Sequence, residues 1–419
     1  MVLPLTGVRI LDLSRVWSGP LATRILADLG AEVIKIEVGG QADRSKTAIP
    51  EAVAKMMGTF PNGIPGDQPW NRNGTSIDFN RNKMSVTINL TSSGGRDLFR
   101  RLVAIGDVVL ENYSPRVMRN FGLDYAALRE INPHLIMVSM PGYGMDGPYR
   151  DYVAYGTSLE PQAGFSGLMG YPDKGPYKLG VAYPDPVAAL HAAAAVLIAY
   201  WHRQKTGQGQ YIDLSQMEAA TALIGEFIVG YGLTGEVPSS LGNRHPYMAP
   251  HGCYPCQGED RWLVISVGSD EEWCALCRVI GRPELAADER FADQLNRWHH
   301  QDDLDEIISA WTQNIDHRVA MRILQDAGVA AGAVLDAEEM AHDEHLAERG
   351  FFWEIPHPAA GTFSYPGLPI RFSSLALGAR LPAPLLGEHN EHVFIDLLGL
   401  SREDLADLGH EGAIDLVSA

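Results

Sequence analysis

One acid in this chain stands alone among apolar residues. In "GVAYPDPVAALHAAAAVLIAY", residues 180–200, Asp185 lies between Pro184 and Pro186 and is followed by a run of almost wholly apolar or small side chains. Two readings fit it. Asp is a favoured helix N-cap and Pro a favoured first helical residue, so Asp185-Pro186 reads as an ordinary helix start. A carboxylate at the positive end of a helix also stays ionised, which suits a nucleophile. The local residues do not separate cap from catalyst.

Other groups offer chemistry at the right spacing and then lose it. Cys253, Cys256, Cys274 and Cys277 form two C-x-x-C pairs separated by seventeen residues, the spacing of a four-thiolate zinc site. Yet "GCYPCQGEDRWLVISVGSDEEWCALCRVIG" reads as a strand pair followed by a helix, with Cys274 and Cys277 on an apolar helix face near Trp273 and Ile280. Buried free cysteines act as small hydrophobes, and that reading is preferred, so no metal site is expected. "HDEH" at residues 342–345 and His299-His300 bring no third ligand and read as solvated polar faces. The loop "RVWSGPLATR" follows a strand as a dinucleotide loop would, but it has Gly19 alone where G-x-G-x-x-G is required. Its helix start still offers free amides to a phosphate or an adenine. Neither a G-x-S-x-G elbow nor a Walker A loop is present.

The elements that must position these groups follow from periodicity. "GVRILDL", "AEVIKIE", "KMSVTINL", "DVVLENY" and "HLIMVSM" are short apolar strands, and "GPLATRILADLG", "SSGGRDLFRRLVAIG" and "SPRVMRNFG" have helical spacing. Alternation of this kind predicts a parallel α/β sheet with ligands beyond the carboxyl ends of its strands. Residues 48–74 read as a long surface excursion, 211–240 as a linker helix, and 241–328 as a small α+β domain. A formal charge of -19, from 33 Lys+Arg against 52 Asp+Glu, sets the chain against nucleic acid and anionic membrane, so an anionic ligand must be held by local cations and amides. The amino terminus lacks a basic segment followed by an apolar core, and the apolar run after Asp185 is too short to span a bilayer. A cytoplasmic protein is expected.

Taken together, several stretches resemble the class III CoA-transferases, the family of formyl-CoA, carnitine and benzylsuccinate CoA-transferases. They are "GVRILDLSRVWSGPLATRILADLGAEVIKIE", "NRNKMSVTINL", "DVVLENYSPRVM", "LGVAYPDPVAALHAAAAV", "KTGQGQYIDLSQMEAA", "HDEHLAERGFF" and "PLLGEHNEHV", in the family's order and nearly end to end. The resemblance implies a large Rossmann-like sheet domain built from both chain ends, residues 1–210 and 329–419, plus the smaller α+β domain. It implies a ring-shaped subunit interlocked with a second, either a homodimer or a heteromer with a paralogous subunit. Asp185 matches the family's nucleophile, which carries CoA from a donor acyl-CoA to a carboxylic acid without a permanently bound cofactor.

For CoA the resemblance points to Trp17 and Ser18, to Ile88, Asn89 and Thr91, to Asn112 and Tyr113, and to Tyr155. Core packing is the competing reading for Trp17 and Tyr113. A covering loop falls at Ala249–Gly252, where "APHG" leaves His251 as an acid contact. Val38, Thr91 and Asn120 stand where formyl-CoA transferase has cations near the CoA phosphates, leaving Arg44 and Arg119 to compensate. "YGTSLEP", "AYPDP" and "APHGCY" look closest to the branch acting on dicarboxylic or aryl-succinic acids. The alternatives are an acyl-CoA racemase on the same fold and a non-catalytic partner subunit.

Overall fold

The computed structural model describes residues 2–38 and 50–415. In chain order its strands are β1 (Arg9–Asp12), β2 (Glu32–Glu37), β3 (Lys83–Thr87), β4 (Val108–Glu111), β5 (Ile136–Ser139), β6 (Gly170–Tyr171), β7 (Gly175–Pro176), β8 (Tyr211–Asp213), β9 (His251–Pro255), β10 (Trp262–Ser266), β11 (Ala330–Ala333), β12 (Phe352–His357) and β13 (Gly361–Pro366). The chain forms two compact units. One comprises Met1–Phe165, Leu179–Ile228 and Ala347–Ala419, the other Ser166–Lys178 and Val229–Leu346.

The first unit is built on a six-stranded parallel sheet in the order β3-β2-β1-β4-β5-β8. Its strands are apolar runs because both faces are covered. On one face Leu11, Ile34 and Val109 pack with Leu98, Phe99 and Leu102 of the helix Ser93–Ile105, and Val393 and Phe394 from the carboxyl-terminal stretch join them. On the other, Ile10, Val33, Val108 and Ile136 pack beneath the helices Ser18–Asp28 and Pro184–Thr206. Strand order reverses between β1 and β4, so the loops leaving their carboxyl ends diverge and open a crevice.

Two stretches differ from the periodicity reading. Tyr211–Asp213 is the sixth strand and pairs with β5, although the segment reads as the start of a linker helix. Three residues are too few to show an alternation. The excursion carries a helix at Glu51–Met57; its early part lies outside the described residues. The carboxyl-terminal stretch docks on β3, an edge strand, through Asn390. Its Oδ1 accepts the Thr87 amide at 2.9 Å and its Nδ2 donates to Thr87 Oγ1 at 3.0 Å. Covering an edge in this way removes a template for unwanted pairing.

The second unit holds an antiparallel sheet, β11-β10-β9, under the helices Asp270–Val279, Gln301–Thr312 and His317–Asp326, and its core includes Leu263, Ile265, Trp273, Leu304 and Leu324. Cys256 and Cys277 belong to this core, and burial pushes their thiols up to about 11 and about 12. Protonated thiols make poor ligands and poor nucleophiles. Among the described residues no three His, Cys, Asp or Glu side chains come together as a metal-ligating group.

At the carboxyl end of β1, Asp12 is wholly buried between two lysines. Lys83 Nζ lies 3.0 Å from Oδ2 and Lys35 Nζ 3.3 Å from Oδ1. Burial alone would raise this carboxyl; Lys35, Lys83, Ser14 and Thr23 hold it well below the usual carboxylate range. Lys83 also donates to Pro20 O, Thr23 Oγ1 and Asn80 Oδ1 at 2.8–3.0 Å. Removing one partner of such a group leaves the others charged and dry. Asp12→Asn should therefore cost about 3–5 kcal/mol of unfolding free energy, read from denaturant midpoints. A loss under about 1 kcal/mol would show that both lysines find other partners.

Candidate active site

The crevice at the strand-order reversal is a cavity of about 380 Å³. Its walls are the loop after β1, residues 15–18, the loop after β4, residues 112–115, Pro141 and Gly142 after β5, the segment 150–157, and Ala182, Asp185 and Gln216. All of these belong to the first unit.

Asp185 is not the N-cap of its helix. The helix runs Pro184–Thr206, so Pro184 takes the first helical position and Asp185 the second. Proline's fixed φ suits that first position, and the flanking Pro186 still fits within the first turn, where amides have no intrahelical acceptor. The alanines that follow are packing residues. Ala188, Ala189, Ala192 and Ala193 meet Ala22, Leu26 and Ala27 of the helix Ser18–Asp28, and their small volume lets the two axes come close. That approach brings the Ser18 amide, at the start of its helix, onto the Asp185 carboxylate. Asp185 is 8% exposed. Burial pushes its carboxyl up to about 6, against the opposing pull of the Ser18 hydrogen bond. On the far side a Cβ added to Gly156 would stand 1.8 Å from Asp185 Oδ2, so this close approach requires glycine.

The loop after β1 is held in an unusual path. Val16 has φ of 67°, a left-handed conformation that costs a β-branched residue on the order of 1–3 kcal/mol. Asn112 clamps the loop from β4: its Oδ1 accepts the Arg15 amide at 2.8 Å, and its Nδ2 donates to Arg15 O at 2.8 Å and Ser18 Oγ at 3.2 Å. The Glu111 carboxylate in turn accepts the Tyr113 amide at 2.7 Å. Trp17 stacks on Phe79, ring centroids 5.8 Å apart.

Of the residues singled out from the sequence, Trp17, Ser18, Asn112, Tyr113, Tyr155 and Asp185 share this cavity. Tyr113 lines the cavity and also packs against the apolar core, the competing reading of that side chain. Ile88, Asn89, Thr91 and Arg119 do not line it. Ile88 is core, and Asn89 and Thr91 form a turn in which Asn89 Oδ1 accepts the Thr91 amide and hydroxyl at 3.1 and 2.6 Å. Arg119 lies in the last turn of the helix Arg116–Asn120. Arg44 lies outside the described residues. Ala249, His251 and Gly252 belong to the second unit, at the start of β9. The cavity's cations are Arg15 and Arg150, which sequence reasoning passed over. Arg15 sits directly before Val16-Trp17, a signal available in the sequence; Arg150 lies in a turn with no pattern to mark it. Among the described residues no His, Lys or Cys lines the cavity, and Asp185 is its one carboxylate.

Fold and cavity thus define a doubly wound α/β protein with a cavity at the switch point of the sheet. The model of CoA-transferase family III matches residues 5–390, and the chain belongs to that family of CoA-transferring enzymes. It is 36% identical to the succinyl-CoA–D-citramalate CoA-transferase of Chloroflexus aurantiacus over 97% of this chain and 96% of that one. It is 33% identical to the succinate–glutarate CoA-transferase of Agrobacterium fabrum, covering 95% of this chain and 97% of that one. A crystal structure of a CAIB/BAIF family protein from Brucella suis superposes with a TM-score of 0.81 at 30% identity, over 95% of this chain and 100% of that one.

A carboxyl raised from 3.8 to about 6 by the fold is costly to ionise there. The folded state prefers the protonated form, so stability falls as pH rises from about 4 to about 6 and the full cost stands above that. Asp185→Asn removes the charge and keeps the shape. It should stabilise the protein by roughly 1–3 kcal/mol at pH 7.5, and the gain should vanish near pH 4. An Asn variant less stable than the parent at pH 7.5 would contradict this account of the site.

Proposed function

We propose that this enzyme moves CoA from a donor acyl-CoA, such as succinyl-CoA, to a dicarboxylic acid, with Asp185 as the covalent carrier. The observation that carries the reading is a cavity whose one carboxylate is buried, held by a backbone amide, and faced by no His, Lys or Cys among the described residues. The acceptor class follows from the relatives, whose names give D-citramalate and glutarate.

The steps balance as two exchanges. Asp185 attacks the donor thioester carbonyl, the C–S bond breaks, and an aspartyl-acyl anhydride and CoA thiolate result. The thiolate attacks the aspartyl carbonyl, giving an aspartyl-CoA thioester and releasing the donor acid. The acceptor carboxylate attacks that thioester, forming a second anhydride, and the expelled thiolate attacks the acceptor's carbonyl. Asp185 is freed as a carboxylate. Dividing one exchange between poor nucleophiles into covalent steps lowers each barrier. The burial that makes the carboxylate costly favours its conversion to an uncharged anhydride or thioester. Arg15 and Arg150 supply positive charge for CoA at the cavity, Trp17, Ser18, Asn112, Tyr113 and Tyr155 receive the pantetheine arm, and Arg44, Arg119, Asn89 and Thr91 serve the nucleotide end, with Ile88 holding the core beneath them.

A racemase moves a proton α to the thioester and needs an acid and a base at the reacting carbon. A cavity with one carboxylate and, among the described residues, no His, Lys or Cys beside it favours transfer. An intact carboxylate with its amide also favours a catalytic chain over a non-catalytic partner subunit.

The dimer belongs to the same reading. On the helix Pro184–Thr206, Leu190, Ile198 and Trp201 are 61%, 67% and 62% exposed along one side, a stripe that a second subunit would cover.

Asp185→Asn should lose transfer between succinyl-CoA and glutarate while still binding CoA, and kcat/KM of the parent should fall on the acid side of about pH 6. Hydroxylamine added to parent and succinyl-CoA should leave a hydroxamate on the Asp185 peptide. Near-parent transfer by the Asn variant would end the mechanism. By light scattering the chain should be a dimer that persists on strong dilution, since interlocked chains separate only by unfolding. A stable folded monomer at micromolar concentration would exclude the interlock.

A further inference from the structure

The first unit holds a second opening, a groove of about 730 Å³, and one side chain belongs to the walls of both. Among the described residues Trp17 is the one that lines the groove and the cavity of Asp185 alike. The rest of the groove comes from residues 58–62, from the helix Gly74–Asn80 with the turn before it, and from residues 360–366. Its charged groups are already committed. Asp78 pairs with Arg24 at 2.8 Å and with Arg81 at 2.9 Å, and Arg72 donates to Ile64 O at 3.4 Å and to Ala359 O. What the groove has left to offer is the apolar surface of Phe60, Ile77, Phe79, Phe363 and Tyr365, and the Phe363 ring is 45% exposed. Such a surface suits an uncharged apolar group, not a carboxylate or a phosphate.

The shared side chain is fixed from both ends. Asn112 holds Arg15 by its amide and its carbonyl, and the left-handed turn at Val16, φ of 67°, then delivers Trp17. Phe79 stacks on the indole with an interplanar angle of 18°; it lines the groove and not the cavity. Phe79 is itself 8% exposed, so it cannot yield without disturbing the core. The residue after Trp17 is Ser18, whose amide holds the Asp185 carboxylate. A group reacting at Asp185 must therefore fit beside this indole.

We infer that Trp17, backed by Phe79, is the specificity wall of the site: it sets the largest acid that reaches Asp185, and it closes off an apolar groove able to receive a side arm. A short, unbranched dicarboxylic acid fits on the cavity side. An acid carrying an apolar arm needs the space that the indole fills, with the groove behind it. This rests on the transfer reading for the class of ligand, while the groove and its shared wall stand apart from that reading. The same indole borders the pantetheine arm in that reading. Its replacement is therefore judged by the ratio between two acids served by one donor, in which a change in CoA handling cancels.

The test compares glutarate with 3-phenylglutarate as acceptors from succinyl-CoA, using the full-length protein. The parent should favour glutarate, and Trp17→Ala should raise kcat/KM for 3-phenylglutarate relative to glutarate by about tenfold or more. Phe79→Leu, which alters the groove alone, should move the ratio the same way by a smaller factor, and its denaturant midpoint checks that it folds. Ala360→Phe fills the groove from its far side. Alone it should leave glutarate transfer at the parent's rate; added to Trp17→Ala it should abolish the gain. Calorimetry with CoA present reads the same contrast without turnover: 3-phenylglutarate should bind Trp17→Ala about tenfold more tightly than the parent, and glutarate should bind the two equally. An unchanged ratio in Trp17→Ala, a gain that survives Ala360→Phe, or equal binding of 3-phenylglutarate to parent and Trp17→Ala would each overturn the inference. The binding contrast without transfer by any of these proteins would support the wall and count against covalent transfer.

Discussion

Two lysines buried on either side of one aspartate set the position of everything at the mouth of the sheet. Asp12 ends β1 where the chain must leave the core, and its carboxylate gathers Lys35 from β2, Lys83 from β3, the Ser14 amide at 2.9 Å and the Thr23 hydroxyl at 2.7 Å. Three adjacent strands and the first helix are thereby tied at one point. A buried ion group of this kind adds little net stability over an apolar core, but it tolerates no partial occupancy. The loop that follows has no freedom at its start, and Asn112 fixes its middle. Val16 pays for the remaining turn in backbone strain, which persists only where the surroundings over-determine it.

The consequence is felt at Asp185, which makes no contact with Asp12 but depends on it. The Ser18 amide reaches the Asp185 carboxylate because the loop delivers the first turn of its helix and because a seam of alanines lets the second helix lie close. Gly156 closes the other side with bare backbone. The carboxylate is thus held by shape and one amide rather than by a cation. A salt bridge would lower its basicity; burial raises it. The fold bears the cost of a desolvated charge at the one place where the proposed reaction would lose that charge to an acyl group.

Much of this was legible in the sequence, and the failures have physical causes. The five longer strands of the parallel sheet are rich in apolar side chains, because both faces are covered, and they are readable on that ground although Lys35 and Lys83 interrupt them. The sixth, Tyr211–Asp213, is three residues long and escapes any periodicity. Asp185 was marked by its prolines and by the family's motif, yet the helix starts two residues earlier than Asp185-Pro186 suggests, because Pro184 as well as Pro186 suits the first helical position. The four cysteines have zinc spacing, but two of them are core side chains on separate elements, which spacing does not reveal. Arg15 was marked only by its place beside Val16-Trp17, and Arg150 carries no pattern at all; the closing of the loops around one cavity is what brings the two together.

The central claim is that Asp185 changes partners covalently, and oxygen exchange tests it most directly. In the proposed sequence the acceptor acid's attacking oxygen becomes the bridge of the second anhydride, and it stays on Asp185 when the thiolate takes the acceptor's carbonyl. Transfer from succinyl-CoA to glutarate labelled with ¹⁸O in its carboxylates should therefore place ¹⁸O in the Asp185 peptide, seen by mass, with turnover. Transfer that proceeds while Asp185 stays unlabelled would contradict the account, since the acids would then have met without the enzyme's carboxylate between them.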